Sequence, residues 1–172
     1  KPLNIMKKFI WSMKKIFFSL FIIFTLINSS YAAGSSSDSK TASNYDKAVK
    51  LIKFAKKYEK KGKVDKANKR YEKALKLLLK SNKKKPNNAD ILNYLGFTTR
   101  KLGDFKKGEK YYLEGLAIEP GHIGINEYLG ELYVATNRVE LAKERLTILK
   151  DCNCEEYNEL KEIIDGTKKS KY

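Results

Sequence analysis

The chain has 172 residues, enough for one domain of ordinary size plus an appendage and too short for two large cores. Lys and Arg total 36 against 20 Asp and Glu, a formal net charge of +16, with 42% apolar and 33% charged residues. That balance excludes a wholly disordered chain and a polytopic membrane protein, and one His with two Cys leaves little material for a metal site or a His-based catalytic centre.

In chain order, Met13, Lys14 and Lys15 precede an apolar stretch over residues 16–27. It falls within the roughly 7–15 residues of a secretory h-region and below the roughly 20 that cross a bilayer. Small residues at Ser30 and Ala32 suit a peptidase cut after Ala32. The expectation is a cleavable signal peptide over residues 1–32 and a periplasmic or secreted product; the alternative is an uncleaved signal anchor that tethers it to a membrane. A start at Met13 gives a conventional signal peptide and one at Met6 a longer n-region, so residues 1–12 are set apart. Residues 33–44, with Gly34-Ser35-Ser36-Ser37, read as a flexible linker.

The positive charge is unevenly placed. Residues 47–85 hold 17 Lys and Arg against Glu59, Asp65 and Glu72, whereas residues 89–172 hold 13 basic against 15 acidic side chains. The Lys-rich segment reads most simply as a solvated helix face. Its functional reading is a patch for an anionic surface, such as lipid headgroups or cell-wall phosphates. Export argues against nucleic acid as the partner.

From residue 45 the chain repeats itself. Tyr94-Leu95-Gly96 recurs 34 residues later as Tyr128-Leu129-Gly130. Gly103-Asp104 corresponds to Asn137-Arg138, and Gly108 to Ala142. An upstream copy is offset by 41 residues: Phe54-Ala55 matches Leu95-Gly96, Gly62 matches Gly103, and Tyr71 matches Tyr112. The seven extra residues fall around residues 77–85, close to two helical turns, so the apolar face is preserved. Each copy reads as two amphipathic helices. Gly62, Gly103 and Asn137 stand where the chain leaves the first helix, Asp104 is a natural N-cap, and Pro86 and Pro120 end second helices. Small residues at Ala55, Gly96 and Gly130, with Ala67, Gly108 and Ala142, let paired helices approach closely. Tyr71, Tyr112, Tyr128 and Tyr133 recur as core.

Leu92-x-x-Leu95-Gly96-x-x-Thr99, Gly108-x-x-x-Tyr112 and Pro120, with Leu129-Gly130-x-x-Tyr133 and Ala142-x-x-x-Leu146, resemble the tetratricopeptide repeat. The first copy offers Phe54-Ala55-x-x-Tyr58, Ala67-x-x-x-Tyr71 and Ala74. The resemblance covers roughly residues 45–154 and departs from the pattern in Thr99, Gly108, Gly115 and the missing Trp. It implies an all-α solenoid of three helix pairs, about residues 48–88, 89–122 and 123–154. A capping helix follows over 155–165, with Tyr157, Leu160 and Ile164 as its apolar stripe, and then a basic tail over 166–172. The abundance of Lys, Asn and Ile suits a bacterial source.

The resemblance also implies a non-catalytic protein or peptide binder whose groove is lined by the first helix of each pair. There the expected residues are Ile52, Lys56, Asn93, Phe97, Arg100, Lys101, Glu127 and Glu131, with Phe97 as an aromatic anchor. The Lys/Asn/Arg clamp by which chaperone-tail binders of this family hold a terminal carboxylate is largely missing, because the corresponding positions carry Ile52, Lys56, Tyr94, Gly124 and Tyr128. No catalytic residue, cofactor or metal is expected. Cys152-Asn153-Cys154 admits two readings, a local disulfide through a tight turn or two free thiols, and both stay open. His122, after Pro120-Gly121, reads as a solvent-exposed turn residue.

Overall fold

Seven helices follow one another with short connections: α1 (Asn44–Glu59), α2 (Val64–Lys84), α3 (Ala89–Lys101), α4 (Phe105–Ile118), α5 (Ile123–Ala135), α6 (Val139–Leu149) and α7 (Glu155–Ile164). The computed structural model describes residues 42–170, and among them no strand occurs. The signal peptide expected over residues 1–32, linker residues 33–41 and the last two residues of the basic tail lie outside the described residues.

Local chemistry fixes the helix ends. Ser43 caps α1 through a reciprocal pair: its hydroxyl accepts from the Asp46 amide at 3.1 Å, and the Asp46 carboxylate accepts from the Ser43 amide at 3.0 Å. Asn88 and Asp104 cap α3 and α4 through a side-chain oxygen alone, accepting from the amides of Ile91 at 2.9 Å and Lys107 at 3.0 Å. The turn inside each pair needs a left-handed residue, and Gly62, Gly103 and Asn137 supply it with φ of 66°, 95° and 59°. α2 has 21 residues and α4 has 14, so the extra length of the first copy is a continuation of its second helix.

Helices pack as α1 with α2, α3 with α4 and α5 with α6. The pairs then stack, α2 against α3 and α4 against α5, and α7 closes on both α5 and α6. The core forms two apolar clusters. Ala55, Ala67, Tyr71, Leu78, Leu92 and Leu95 belong to one; Tyr112, Leu116, Ile125, Leu129, Leu132 and Ala142 belong to the other. The central helix, α3, is enclosed along most of its length: every residue from Leu95 to Arg100 is buried.

Missing side chains set the spacing. A Cβ on Gly96 would lie 2.5 Å from Cε1 of Tyr112, so the tyrosine ring of α4 rests directly on the α3 backbone. A Cβ on Gly130 would meet the Leu160 methyls at 2.6 and 2.7 Å, which is how the terminal helix seats on α5. The apolar stripe of α7 runs through Leu160 and Ile163, at 0% and 3% exposure. Ile164, expected in that stripe, is only partly buried, because Leu160 aims at Gly130 and the next turn therefore presents Ile163 inward.

Candidate functional site

The first helices of the three pairs, α1, α3 and α5, bring side chains far apart in sequence into one strip. Lys56 of α1 donates from Nζ to the Tyr128 hydroxyl of α5 at 3.2 Å and lies 4.4 Å above the Phe97 ring of α3. The Phe97 and Tyr128 rings are 5.0 Å apart, and Tyr71 meets Phe97 edge-on at 6.0 Å. A cation against two aromatic faces in a partly desolvated setting is favourable by about 0.5–2 kcal/mol.

Ionic contacts run beside the strip. Arg100 donates to the Tyr128 carbonyl and to Glu131 Oε2, the latter at 3.3 Å, with both ionic side chains at 0% exposure. Lys101 pairs with Glu59 at 2.7 Å, and the Tyr71 hydroxyl donates to the same carboxylate at 2.9 Å. Burial, followed by the charge of Glu127, pushes the Tyr128 phenol far above its ordinary range. Burial does the same to Tyr71, helped by its bond to Glu59. Both hydroxyls stay protonated, that of Tyr71 donating to Glu59 and that of Tyr128 accepting from Lys56.

At the far end the strip turns acidic. Glu127 and Glu131 stand one turn apart on α5, Glu159 approaches from α7, and one oxygen from each lies within 4.8 Å of the others. A cavity of about 230 Å³ opens there, lined by Glu127, Tyr128, Glu155, Glu156 and Glu159. Three carboxylates could in number hold a hard cation. Arg100 on Glu131 and Lys168 on Glu159 at 3.0 Å already place positive charge on two of them, which weakens the pull on a metal ion.

The eight residues expected on the groove face fall on α1, α3 and α5, and most are closed off from solvent. Ile52, Asn93, Phe97, Arg100, Glu127 and Glu131 have exposures of 2%, 7%, 1%, 1%, 4% and 0%, while Lys56 and Lys101 are partly buried. Phe97 is thus a packed ring between Tyr71 and Tyr128. Two contributors escape sequence reading. Tyr128 reads as core and Glu159 reads as part of a cap. The one signal available was the i, i+4 spacing of Glu127 and Glu131, which puts both on one helix face.

Cys152 and Cys154 are joined, with Cα atoms 5.2 Å apart, at the turn into α7. His122 departs from the expected exposed turn residue. It caps α5, its Nδ1 accepts from the Ile125 amide at 3.1 Å, its Nε2 lies 3.3 Å from Asp90, and its side chain is 12% exposed. The cap draws the ring down onto the helix end, which is why it leaves solvent.

No protein-family model and no curated protein matches the chain. Solved structures do. It is similar to the first TPR of Spaghetti (RPAP3) bound to the HSP90 peptide SRMEEVD, with 23% identity over 73% of this chain and 96% of that one and a TM-score of 0.50. It is also similar to the NMR structure of the first TPR domain of human RPAP3, with 23% identity over 73% and 98% of the two chains and a TM-score of 0.51. The fold is therefore that of a tetratricopeptide helical repeat domain.

Proposed function

We propose that this chain is a divergent, exported bacterial tetratricopeptide protein that works without catalysis, its concave face holding an extended segment of a partner protein. The strip Lys56–Phe97–Tyr128 carries the reading, since it joins all three helix pairs on the side of the first helices. The RPAP3 domain, bound to an HSP90 peptide, supports peptide capture as the use of such a face. The ligand type differs here. The clamp positions hold a buried Ile52, a Lys56 engaged with Tyr128, and Tyr94, Gly124 and Tyr128, so an acidic terminal segment is not the expected ligand.

The apolar stretch at 16–27 supports export, and the Cys152–Cys154 bridge suits an oxidising compartment. Among the described residues no helix is long and apolar enough to cross a membrane.

The test is peptide display against the full chain, followed by anisotropy of a selected peptide. Lys56→Met and Tyr128→Phe should each weaken binding at least 10-fold, and Lys80→Met on the exposed side of α2 should leave it unchanged. Equal binding by all three variants would refute the groove. Export predicts a mature N-terminus at Ala33, readable by terminal sequencing of the protein from an envelope fraction.

A second reading has its own observation: α1 and α2 present exposed lysines together with Phe54 and Leu79, which are 41% and 43% exposed. That surface suits anionic lipid or cell-wall phosphate. Binding to phosphatidylglycerol vesicles that collapses between low and physiological salt would favour it over groove capture.

A further inference from the structure

We infer that Cys152 and Cys154 form a thiol–disulfide exchange site, which takes two electrons from a pair of cysteine thiols on a partner polypeptide. This goes beyond the binding role and does not draw on the Lys56–Phe97–Tyr128 strip. The exchange is stoichiometric, one bridge for one partner dithiol, so the repeat itself stays a scaffold.

Position is the first support. The bridge joins cysteines two apart in sequence, and a loop with one intervening residue removes less freedom from the unfolded chain than a longer one. Nor is the bridge what seats the helix that follows. α7 is held by Leu160 and Ile163, at 0% and 3% exposure, with Leu160 resting on Gly130, and Leu149, at 1%, anchors the end of α6. A bridge that staples so little is free to be made and broken while the fold stays intact.

Access is the second support. A cavity of about 410 Å³ lies beside the bridge, lined by Lys150, Asn153, Cys154, Glu155, Tyr157 and Asn158. Cys154 forms part of its wall and Cys152 does not, so a thiolate arriving there meets Cys154 Sγ, with Cys152 as the leaving sulfur. Both cysteines are partly exposed, and the exposed carboxamides of Asn153 and Asn158 offer hydrogen bonds to the backbone of an arriving chain.

The helix end sets the direction of the chemistry. Cys154 is the N-cap of α7, and no side chain caps that helix. A thiolate released there faces the amides of the first turn, which stabilise negative sulfur and make Cys154 a good leaving group. Lys150 adds to that pull, and Glu155 and Glu156 oppose it. A partner thiolate attacks Cys154 Sγ, the Cys152–Cys154 bond breaks, a mixed disulfide forms, and Cys152 leaves as a thiolate that takes a proton from water. The partner's second thiolate then attacks its own sulfur in the mixed disulfide. Cys154 leaves and is protonated in turn, and the partner departs with a disulfide. A low-molecular-weight disulfide, such as oxidised glutathione, returns the pair to the bridged form by the reverse exchange.

The experiment equilibrates the full chain with mixtures of reduced and oxidised glutathione, quenches with acid, alkylates, and counts modified cysteines by mass spectrometry. The bridge should pass from oxidised to reduced within the range these mixtures span, with helical ellipticity unchanged. It should oxidise a synthetic two-cysteine peptide at least about 10-fold faster than oxidised glutathione does at the same concentration. Cys152→Ser should accumulate a mixed disulfide with glutathione, and its thiol should be alkylated at lower pH than the one left in Cys154→Ser. A bridge that excess reduced glutathione leaves intact in the folded chain, a loss of helical ellipticity on reduction, or one alkylation profile for both single thiols would each overturn the assignment. Failure of displayed peptides to bind the strip removes the capture reading and leaves this exchange standing.

Discussion

Replacing Gly96 by alanine sets a helix-propensity gain against a steric loss, and the structure decides which is larger. In an exposed helix the change would stabilise by about 1 kcal/mol. Here the new methyl carbon would lie 2.5, 2.6 and 2.8 Å from Cε1, Cδ1 and Cζ of Tyr112. Carbon atoms rest at about 3.5–4.0 Å, so the helices must part by roughly 1 Å or the ring must swing. Tyr112 is wholly enclosed and has nowhere to go. Overpacking of this kind costs about 1–3 kcal/mol. With three ring atoms in collision the upper end applies, leaving a net destabilisation of about 1–2 kcal/mol and a melting temperature lower by roughly 4–8 °C. Thermal and urea melts of the single variant should show that loss. In a Tyr112→Leu background the collision is removed, and the same Gly96→Ala change should be neutral or stabilising, a coupling visible in a double-mutant cycle. An increase in melting temperature on adding Gly96→Ala to the otherwise unaltered chain would refute the close approach of α3 and α4.

His122→Ala should cost about 1 kcal/mol in urea melts by leaving the Ile125 amide without its cap, and His122→Asn, which keeps an acceptor there, should recover most of it. Stability should fall at alkaline pH. Burial first, with Glu131 and Glu127 adding to it and Arg100 opposing, holds the Tyr112 phenol well above its ordinary value. Its contribution is complete below pH of about 10, where the unfolded phenol is also protonated. It is lost by about 1.4 kcal/mol per pH unit as the pH climbs from there toward the folded value. Urea midpoints at pH 9, 10.5 and 11.5 should therefore drop less steeply in Tyr112→Phe than in the parent, and parallel slopes would contradict the burial. Absorbance at 295 nm should show Tyr45, pushed up to about 12 chiefly by burial, ionising late as well.

What the sequence made legible was whatever chemistry acts over a few residues. Gly62, Gly103 and Asn137 announce left-handed turns because few other residues tolerate that backbone. Asp104 announces a helix start, and the 34-residue recurrence of Leu-Gly announces which faces meet. The lengthening of α2 was visible because seven residues return the apolar stripe to the same side. The strip itself was harder to read. Arg100 and Glu131 are 31 positions apart and Lys56 and Tyr128 are 72 apart, and no local spacing encodes an ion pair between neighbouring hairpins. The enclosure of Phe97 was hidden for the same reason, since its neighbours Tyr71 and Tyr128 arrive from separate copies. The enclosure of His122 has no local signal either, because a turn sequence says where the chain bends but not that an imidazole will act as the cap.

The contacts of Lys56, Arg100 and Lys101 tie α1 to α5, α3 to α5 and α3 to α1. In a stack of helix pairs each repeat touches only its neighbours, so the spacing of pairs further apart is free unless side chains bridge it. Struts between the first helices of the pairs remove part of that freedom. The spacing of the three pairs is thus fixed by the chain itself, and the proposed capture of a partner segment requires a segment that fits that spacing.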